Sequence, residues 1–158
     1  MKALIQRVRR AKVSVENTTV CSIGPGLVLL LGFGREDDPE LPASPHWKTF
    51  LNKIVNLRIF PDTKGFFNQS LLQAGGDILL VSQFTLYADC RRGRRPSFAE
   101  AGNPETARVL YNRFIADLKT MCPVVQTGIF GADMDVELCN WGPVTISLDS
   151  RELSPRAG

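Results

Sequence analysis

The chain has 158 residues, of which 44% are hydrophobic and 22% are charged, and its formal net charge is +3. These proportions are typical of a single globular domain and exclude a disordered chain. The longest apolar run, 27–31, is far shorter than the roughly 20 residues of a membrane span. The N-terminal residues alternate apolar with polar or basic side chains, unlike a signal peptide, so we expect a soluble, cytoplasmic protein.

Few side chains in the sequence are suited to conventional catalysis. The only histidine is His46, so a Ser-His-Asp or Cys-His hydrolase would depend on that single imidazole. The cysteines Cys21, Cys90, Cys122 and Cys139 are scattered without a CxxC pair, which argues against a zinc site or a disulfide framework. No GxxxxGK[ST] loop or GxGxxG turn is present. We therefore expect no metal or cofactor, and an enzyme that relies on backbone groups, hydroxyls or its own substrate.

Apolar alternation and short apolar runs predict a mainly β protein. The predicted strands are 12–16, 19–23, 27–32, 57–60, 78–81, 133–138 and 144–149. The run at 27–32 is apolar throughout, which indicates a strand that is covered on both faces. The last two strands flank a turn at 140–143 and are predicted to form a strand pair.

Two segments carry the start signal and the apolar spacing of amphipathic helices. Ser44 and Asn103 are suitable N-caps, and each is followed by a proline at the first helical position. Apolar residues then recur at intervals of three and four along 47–55 and 107–118, which indicates helices with one buried face. The sequence thus predicts an α+β single domain, mostly antiparallel β-sheets with two packed helices.

Three further segments contain residue types that bind ligands. Ser82–Tyr87 puts hydroxyls and an amide at the end of an apolar strand, which suits either a polar ligand site or a strand that reaches the surface. Cys90–Pro96 contains four arginines, which suit either phosphate binding or a solvated loop. In Asn140–Thr145 a Gly-Pro pair ordinarily marks a turn, and composition alone favours a trans peptide bond there.

Six motifs, taken in order along the chain, resemble those of the D-aminoacyl-tRNA deacylases. They are MKALIQRV at 1–8, NLRIF at 56–60, SQFTLYAD at 82–89, RRGRRPSF at 91–98, QTGIFGADM at 126–134 and NWGPVT at 140–145. The resemblance covers about residues 1–150, which we expect to form the deacylase-like domain, followed by a polar C-terminal tail at 151–158. It implies a homodimer whose subunits have a barrel-like β core.

The resemblance also implies an aminoacyl-tRNA editing hydrolase that needs no metal and no cofactor. Its partner is D-aminoacyl-tRNA, bound through the 3′-terminal adenosine, and cleavage of the ester releases free tRNA and a D-amino acid. Glycine mischarged on tRNA is implied as a further substrate. No membrane and no DNA is implied as a partner.

In this family a cis Gly-Pro motif enters the pocket of the partner subunit, and it corresponds here to Gly142 and Pro143. The cis bond turns both carbonyl oxygens toward the substrate, where an L side chain collides with them and a D side chain or glycine does not. Arg7 is implied to support this loop. The residue before the glycine is usually aspartate in the family but is Trp141 here, which leaves the substrate preference open.

The SQFTL segment matches the other wall of the family's pocket and carries the implied catalytic residues Ser82, Gln83 and Thr85. Ser82 and Gln83 are implied to position the ester and the ribose. The residues implied to line the adenosine site are Phe84, Ala101, Phe130, Gly131 and Met134.

Two catalytic mechanisms are compatible with this family. In one, Thr85 attacks the ester as a nucleophile. In the other, the 2′-hydroxyl of the terminal ribose assists and backbone N–H groups stabilise the oxyanion. We favour the second mechanism, because no histidine or lysine lies near Thr85 in the sequence.

Two other functions are compatible with the sequence. A non-enzymatic tRNA- or RNA-binding module would use the arginine run, although the chain has no RNP-type aromatic motif. A cysteine-dependent hydrolase would lose its activity on thiol alkylation.

Overall fold

The computed structural model describes residues 1–153, so the predicted tail lies outside the described residues from position 154 onward. The strands are β1 (Lys2–Val15), β2 (Thr18–Ile23), β3 (Gly26–Gly32), β4 (Phe60–Pro61), β5 (Phe67–Gln69), β6 (Asp77–Ser82), β7 (Val125–Thr127) and β8 (Asp135–Asp149). The helices are α1 (Pro45–Asn56), α2 (Leu71–Ala74) and α3 (Pro104–Met121), with 3-10 turns at Leu41–Ala43, Phe84–Tyr87 and Ser150–Glu152. The predicted α+β class is confirmed.

Strand β1 organises the main sheet. It pairs antiparallel with β8 along residues 2–14, with β3 along 2–8 and with β2 along 11–15. Because a strand has only two edges, β3 and β2 share the edge opposite β8, one after the other. Parallel pairing then continues the sheet from β3 to β6 and from β6 to β7. Strand β2 also contacts β6 and β7, so the sheet rolls into a nearly closed barrel, as the resemblance implied.

The central strands divide their side chains between two apolar layers. On β3, Leu27, Leu29 and Leu31 are buried beneath the helices, whereas Val28 belongs to a smaller cluster inside the barrel. The residues of this inner cluster are Val8, Ala11, Val13, Cys21, Ile23, Val28, Leu79 and Val81. Burial on both faces explains why 27–32 is apolar throughout rather than alternating.

The two predicted helices are confirmed, together with their caps. Ser44 Oγ accepts a hydrogen bond from the Trp47 N–H at 3.3 Å, and Asn103 Oδ1 accepts one from the Glu105 N–H at 2.9 Å. The rings of Trp47 in α1 and Phe114 in α3 meet edge to face with centroids 5.2 Å apart, so the helices pack on each other as well as on the sheet. No helix within residues 1–153 is long and apolar enough to cross a membrane.

The prediction of a C-terminal strand pair is wrong, because both segments belong to the single strand β8. Gln6 and Val8 of β1 lie opposite Thr145 and Asn140, so the chain between these two partners bulges out of the ladder. The bulge contains Pro143, which has no N–H to give to the ladder. The Asn140 side chain closes the bulge by accepting a hydrogen bond from a backbone N–H across it, at 2.8 Å.

Two short elements also differ from the prediction. The strand expected at 57–60 contributes only Phe60, which pairs with β5 in a separate two-stranded ribbon. Helix α2 has no counterpart in the sequence prediction and begins at a capping box formed by Ser70 and Gln73. A helix of four residues is too short to show an apolar period, so only its cap could have indicated it.

We predict that Tyr111→Phe lowers the free energy of unfolding by about 1 kcal/mol. The buried Tyr111 hydroxyl donates a hydrogen bond to the Leu80 carbonyl at 3.0 Å and ties α3 to β6. That carbonyl also accepts the Gly128 N–H at 3.0 Å, so the substitution leaves no unpaired acceptor. Urea titration measures the change, with Tyr111→Leu as the comparison that also removes the ring. A loss above ~3 kcal/mol for Tyr111→Phe would contradict this account of the contact.

Candidate functional site

A cavity of about 640 Å³ opens at the carboxyl ends of the parallel strands β3 and β6. Residues 31–33 and 81–84 form part of its lining, together with the start of α3 and the segment 130–134. The sequence-predicted site residues that line it are Ser82, Gln83, Phe84, Ala101, Phe130, Gly131 and Met134. Strand ends suit ligand binding, because the chain leaves the sheet there and exposes backbone and side-chain groups.

The turn after β6 forms the polar side of the cavity. The Gln83 N–H donates to the Leu31 carbonyl at 2.7 Å, which attaches this turn to the end of β3. Gly32 permits the close approach, because a Cβ at that position would lie 2.6 Å from the Gln83 carbonyl oxygen. Phe84–Tyr87 then form a 3-10 turn without a side-chain cap. Its first N–H groups therefore have no partner within the turn.

Thr85 lies in this turn but does not line the cavity. Its side chain is exposed, and its hydroxyl accepts a hydrogen bond from the Gln83 side-chain amide. An amide orients the hydroxyl but cannot remove its proton. Thr85 therefore has no general base among the contacts that hold it.

The described lining of the cavity contains one titratable side chain, Asp133, which is exposed. His46 lies at the exposed start of α1, outside the lining. None of the four cysteines lines the cavity, and burial raises the pKa of the Cys21 and Cys122 thiols. Within residues 1–153 no group of three or more His, Cys, Asp or Glu side chains is arranged to hold a metal ion.

Two aromatic rings stand at the exposed side of the cavity. Phe84 and Phe98 are 56% and 38% exposed, and their ring centroids lie 5.0 Å apart in edge-to-face contact. A third lining ring, Phe130, contacts Tyr111 at 5.5 Å and lies 5.3 Å from the Arg108 guanidinium. No role was predicted for Phe98 from the sequence, although an aromatic side chain three residues after an arginine run suits a nucleic-acid-binding surface. Such exposed rings suit the flat face of a nucleobase.

The Gly142–Pro143 segment lies outside this cavity. It occupies the bulge of β8, is exposed, and has a cis peptide bond. Gly142 has a φ of +129°, and a Cβ there would lie 2.8 Å from Arg7 Nη2 and 2.9 Å from Val144 Cγ2. This position therefore strongly favours glycine, and the cavity and the Gly-Pro loop of one chain lie in separate places.

Arg7 fixes the backbone immediately before the Gly-Pro loop. The side chain is 3% exposed, and its Nε donates to the Trp141 carbonyl at 2.9 Å while Nη1 donates to the Ile59 carbonyl. Its guanidinium also lies 4.4 Å from the centroid of the Trp141 ring and 4.8 Å from that of Phe67. Burial, and to a smaller extent the charge of Arg9, lowers the pKa of Arg7. Carbonyl oxygens and aromatic faces thus compensate a buried positive charge.

Trp141, the residue before Gly142, belongs to the same cluster. Its ring lies 4.1 Å from the Arg9 guanidinium in addition to the Arg7 guanidinium, and it contacts the Phe60 ring edge to face at 6.3 Å. The π face of Trp141 therefore meets two guanidinium groups.

Comparison with known proteins identifies close relatives of this chain. A family model described as D-Tyr-tRNA(Tyr) deacylase matches residues 4–149. A protein of Nitratidesulfovibrio vulgaris named D-aminoacyl-tRNA deacylase is 54% identical over 158 residues, which cover 99% of this chain and 98% of the relative. A Clostridium botulinum protein of the same name is 53% identical over 152 residues, covering 96% of this chain and 99% of the relative.

Solved structures show the same fold. The structure titled "c-Myc DNA Unwinding Element Binding Protein" superposes with a TM-score of 0.86 at 38% identity and covers 94% of this chain and 98% of its own. A second, titled as a probable eukaryotic D-amino acid tRNA deacylase, has a TM-score of 0.79 at 19% identity and covers 93% and 97%. The family model spans nearly all of the described residues, and the relatives match along their whole length. The chain therefore belongs to the D-Tyr-tRNA(Tyr) deacylase family.

Proposed function

We propose that the protein hydrolyses the ester that joins a D-amino acid to the 3′-terminal adenosine of a tRNA, and that it also cleaves glycine mischarged on tRNA. The observation that carries this proposal is the cavity at the ends of β3 and β6, which gathers the SQF segment and the residues around Phe130 in one place. Its apolar rings suit the adenine base, and the turn after β6 supplies polar groups for the ribose and the ester. The products are free tRNA and a D-amino acid.

Small residues on the cavity wall provide the space that an adenosine needs. Ala101, Gly102 and Ala107 line one part, and Gly131 and Ala132 line another. The adenine ring then packs against Phe84, Phe130 and Met134 in this proposal. Ser82 and Gln83 lie where the strand ends, and from there they position the ribose and the ester.

The terminal ribose supplies the assisting hydroxyl in the mechanism we favour. The exposed Thr85 hydroxyl accepts a hydrogen bond from the Gln83 side-chain amide, and no base contacts it to remove its proton. The 2′-hydroxyl of the substrate lies next to the ester by its own covalent structure, so it needs no positioning by the protein. The free N–H groups at the start of the Phe84–Tyr87 turn stabilise the oxyanion that develops on the ester carbonyl.

Discrimination against L-amino acids comes from the Gly142–Pro143 loop of the partner subunit in a homodimer. Two features of the single chain support this arrangement: the loop is exposed, and it lies outside the chain's own cavity. Inserted into the partner's cavity, its backbone occupies the space that an L side chain requires. A D side chain points away from the loop, and glycine has no side chain to exclude.

Hydrolysis of D-Tyr-tRNA and L-Tyr-tRNA in the presence of EDTA tests the proposed function. We predict rapid loss of the D-ester at a dilute enzyme concentration and no acceleration for the L-ester, measured as retained radiolabelled tyrosine on acid-precipitated tRNA. Binding of tRNA without cleavage of either ester would instead favour a non-enzymatic RNA-binding module. Equal cleavage of both esters would contradict the proposed selectivity.

Thr85→Ala and a modified substrate separate the two mechanisms. We predict that Thr85→Ala keeps kcat within about threefold of the original value, since removal of an essential nucleophile costs several orders of magnitude. A D-Tyr-tRNA that ends in 2′-deoxyadenosine should react roughly 10²-fold more slowly, the usual contribution of a positioned proton-transfer group. Near-complete loss of turnover by a folded Thr85→Ala variant would assign the nucleophile to Thr85.

Gly142→Ala tests the loop, with Gly65→Ala as its matched control. Both glycines have positive φ, +129° and +84°, which L side chains rarely adopt, so each substitution strains the backbone by about 1–3 kcal/mol. A methyl group at position 142 also meets the side chains of Arg7 and Val144, whereas position 65 has open space around it. We predict at least a tenfold fall in kcat/KM for D-Tyr-tRNA with Gly142→Ala and no change with Gly65→Ala. Equal kcat/KM values for the two variants would show that the Gly142–Pro143 loop is not part of the active site.

A further inference from the structure

The segment Cys90–Pro96, which we call the arginine loop, is attached to the protein at both ends. The Asp89 N–H donates to the Ser97 carbonyl at 2.8 Å, and the Ser97 N–H donates to the Asp89 carbonyl at 2.9 Å. The Asp89 carboxylate accepts two hydrogen bonds from the Arg91 guanidinium, at 2.8 and 2.7 Å. These bonds lower the pKa of Asp89 to about 2. The base of the loop is thus ordered, and Arg91 is engaged in ordering it.

The remaining arginines of the loop carry charge that the described residues do not balance. Arg92, Arg94 and Arg95 are exposed, and none of them pairs with a carboxylate within residues 1–153. Gly93 lies between Arg92 and the pair Arg94–Arg95 and has a φ of +68°. No atom lies within 4 Å of the position that a Cβ would occupy there, so the tip of the loop is open to solvent. Guanidinium groups bind phosphate oxygens through paired N–H donors, so this cluster suits a chain of phosphates.

The arginine loop begins and ends beside the cavity. Ser97, which closes the loop, is followed directly by Phe98, and the Phe98 ring lines the cavity in contact with Phe84 at 5.0 Å. The seven residues of the loop can carry its tip no more than about 12 Å from its base, at roughly 3.4 Å per residue. The free guanidinium groups therefore lie within a few nucleotides of any adenosine bound in the cavity.

We propose that Arg92, Arg94 and Arg95 bind the phosphates of the single-stranded 3′ end that leads into the cavity. This inference rests on the proposed function, since the nucleic acid is the tRNA whose terminal adenosine occupies the cavity. Contacts to phosphate do not distinguish one base sequence from another, so the arginine loop strengthens the binding of all tRNAs alike. Each phosphate contact also makes binding depend on salt, with a slope near −0.7 in log–log form for single strands.

The test compares a loop variant with a charge-matched control on two substrates. The loop variant carries Arg92→Gln, Arg94→Gln and Arg95→Gln. The control removes the same charge from exposed positions of α1 and α3 that do not line the cavity; its substitutions are Lys48→Gln, Lys53→Gln and Lys119→Gln. The substrates are D-Tyr-tRNA and the 3′-O-D-tyrosyl ester of adenosine, which contains no phosphate.

For D-Tyr-tRNA, we expect log kcat/KM to fall as log [NaCl] rises, both for the original protein and for the loop variant. The slope should be steeper by about 2 for the original protein, because three phosphate contacts contribute about 0.7 each. Between 50 and 200 mM NaCl this difference amounts to about 20-fold. The control variant should keep most of the slope. All three proteins should cleave the adenosine ester at equal rates, because that substrate offers the loop no phosphate.

Coincident salt slopes for the loop variant and the control would overturn the proposal. An equal loss on the adenosine ester and on D-Tyr-tRNA would overturn it as well, because the loop would then act on the cavity and not on phosphates. If the original protein cleaves neither ester, the proposed function fails separately. Filter binding of tRNA across the same salt range then tests the phosphate contacts independently of catalysis. If the log–log salt slope of tRNA binding is the same for the loop variant and the original protein, the arginine loop does not bind phosphates.

Discussion

The pairing of β1 with a strand on each of its edges is the constraint on which the positions of the cavity and of the Gly142–Pro143 loop depend. The ladder keeps β8 in register on either side of the Gly142–Pro143 bulge, so the loop projects from a strand that is paired before and after it. The opposite edge of β1 holds β3, which in turn pairs in parallel with β6 and places Leu31 beside Ser82. One strand therefore positions the exposed loop on one edge and, through β3, the cavity on the other.

The positive charges of the chain are used in two different ways. Arg7 is buried between two aromatic rings and donates to two backbone carbonyls, so its charge fixes the backbone before Gly142. The exposed arginines at 92, 94 and 95 make no ion pair within residues 1–153 and are the groups proposed to bind phosphate. The cavity itself contains hardly any ionisable side chain in its described lining. The mechanism proposed for it accordingly uses backbone groups and hydroxyls, including those of the substrate.

Most secondary structure was predictable because it depends on local patterns. The caps at Ser44 and Asn103 and the apolar spacing after them identified α1 and α3, and the unbroken apolar run at 27–32 identified a strand buried on both faces. The prediction of a C-terminal strand pair was wrong because a Gly-Pro in an alternating segment is compatible with either a turn or a bulge. Only the partner strand decides between them, and β1 pairs with both segments.

The sequence by itself determined the fold class, the helices, the poverty of catalytic side chains and, through ordered motifs, the residues to examine. It also placed the arginine run next to the SQFTL segment along the chain. Only the tertiary structure decided that residues 82–84 and 130–134 share one cavity while Gly142–Pro143 lies outside it. It alone showed Phe98 at the cavity and Arg7 stacked on Trp141. These contacts join residues far apart in the chain, so they depend on strand pairing and packing that no local pattern encodes.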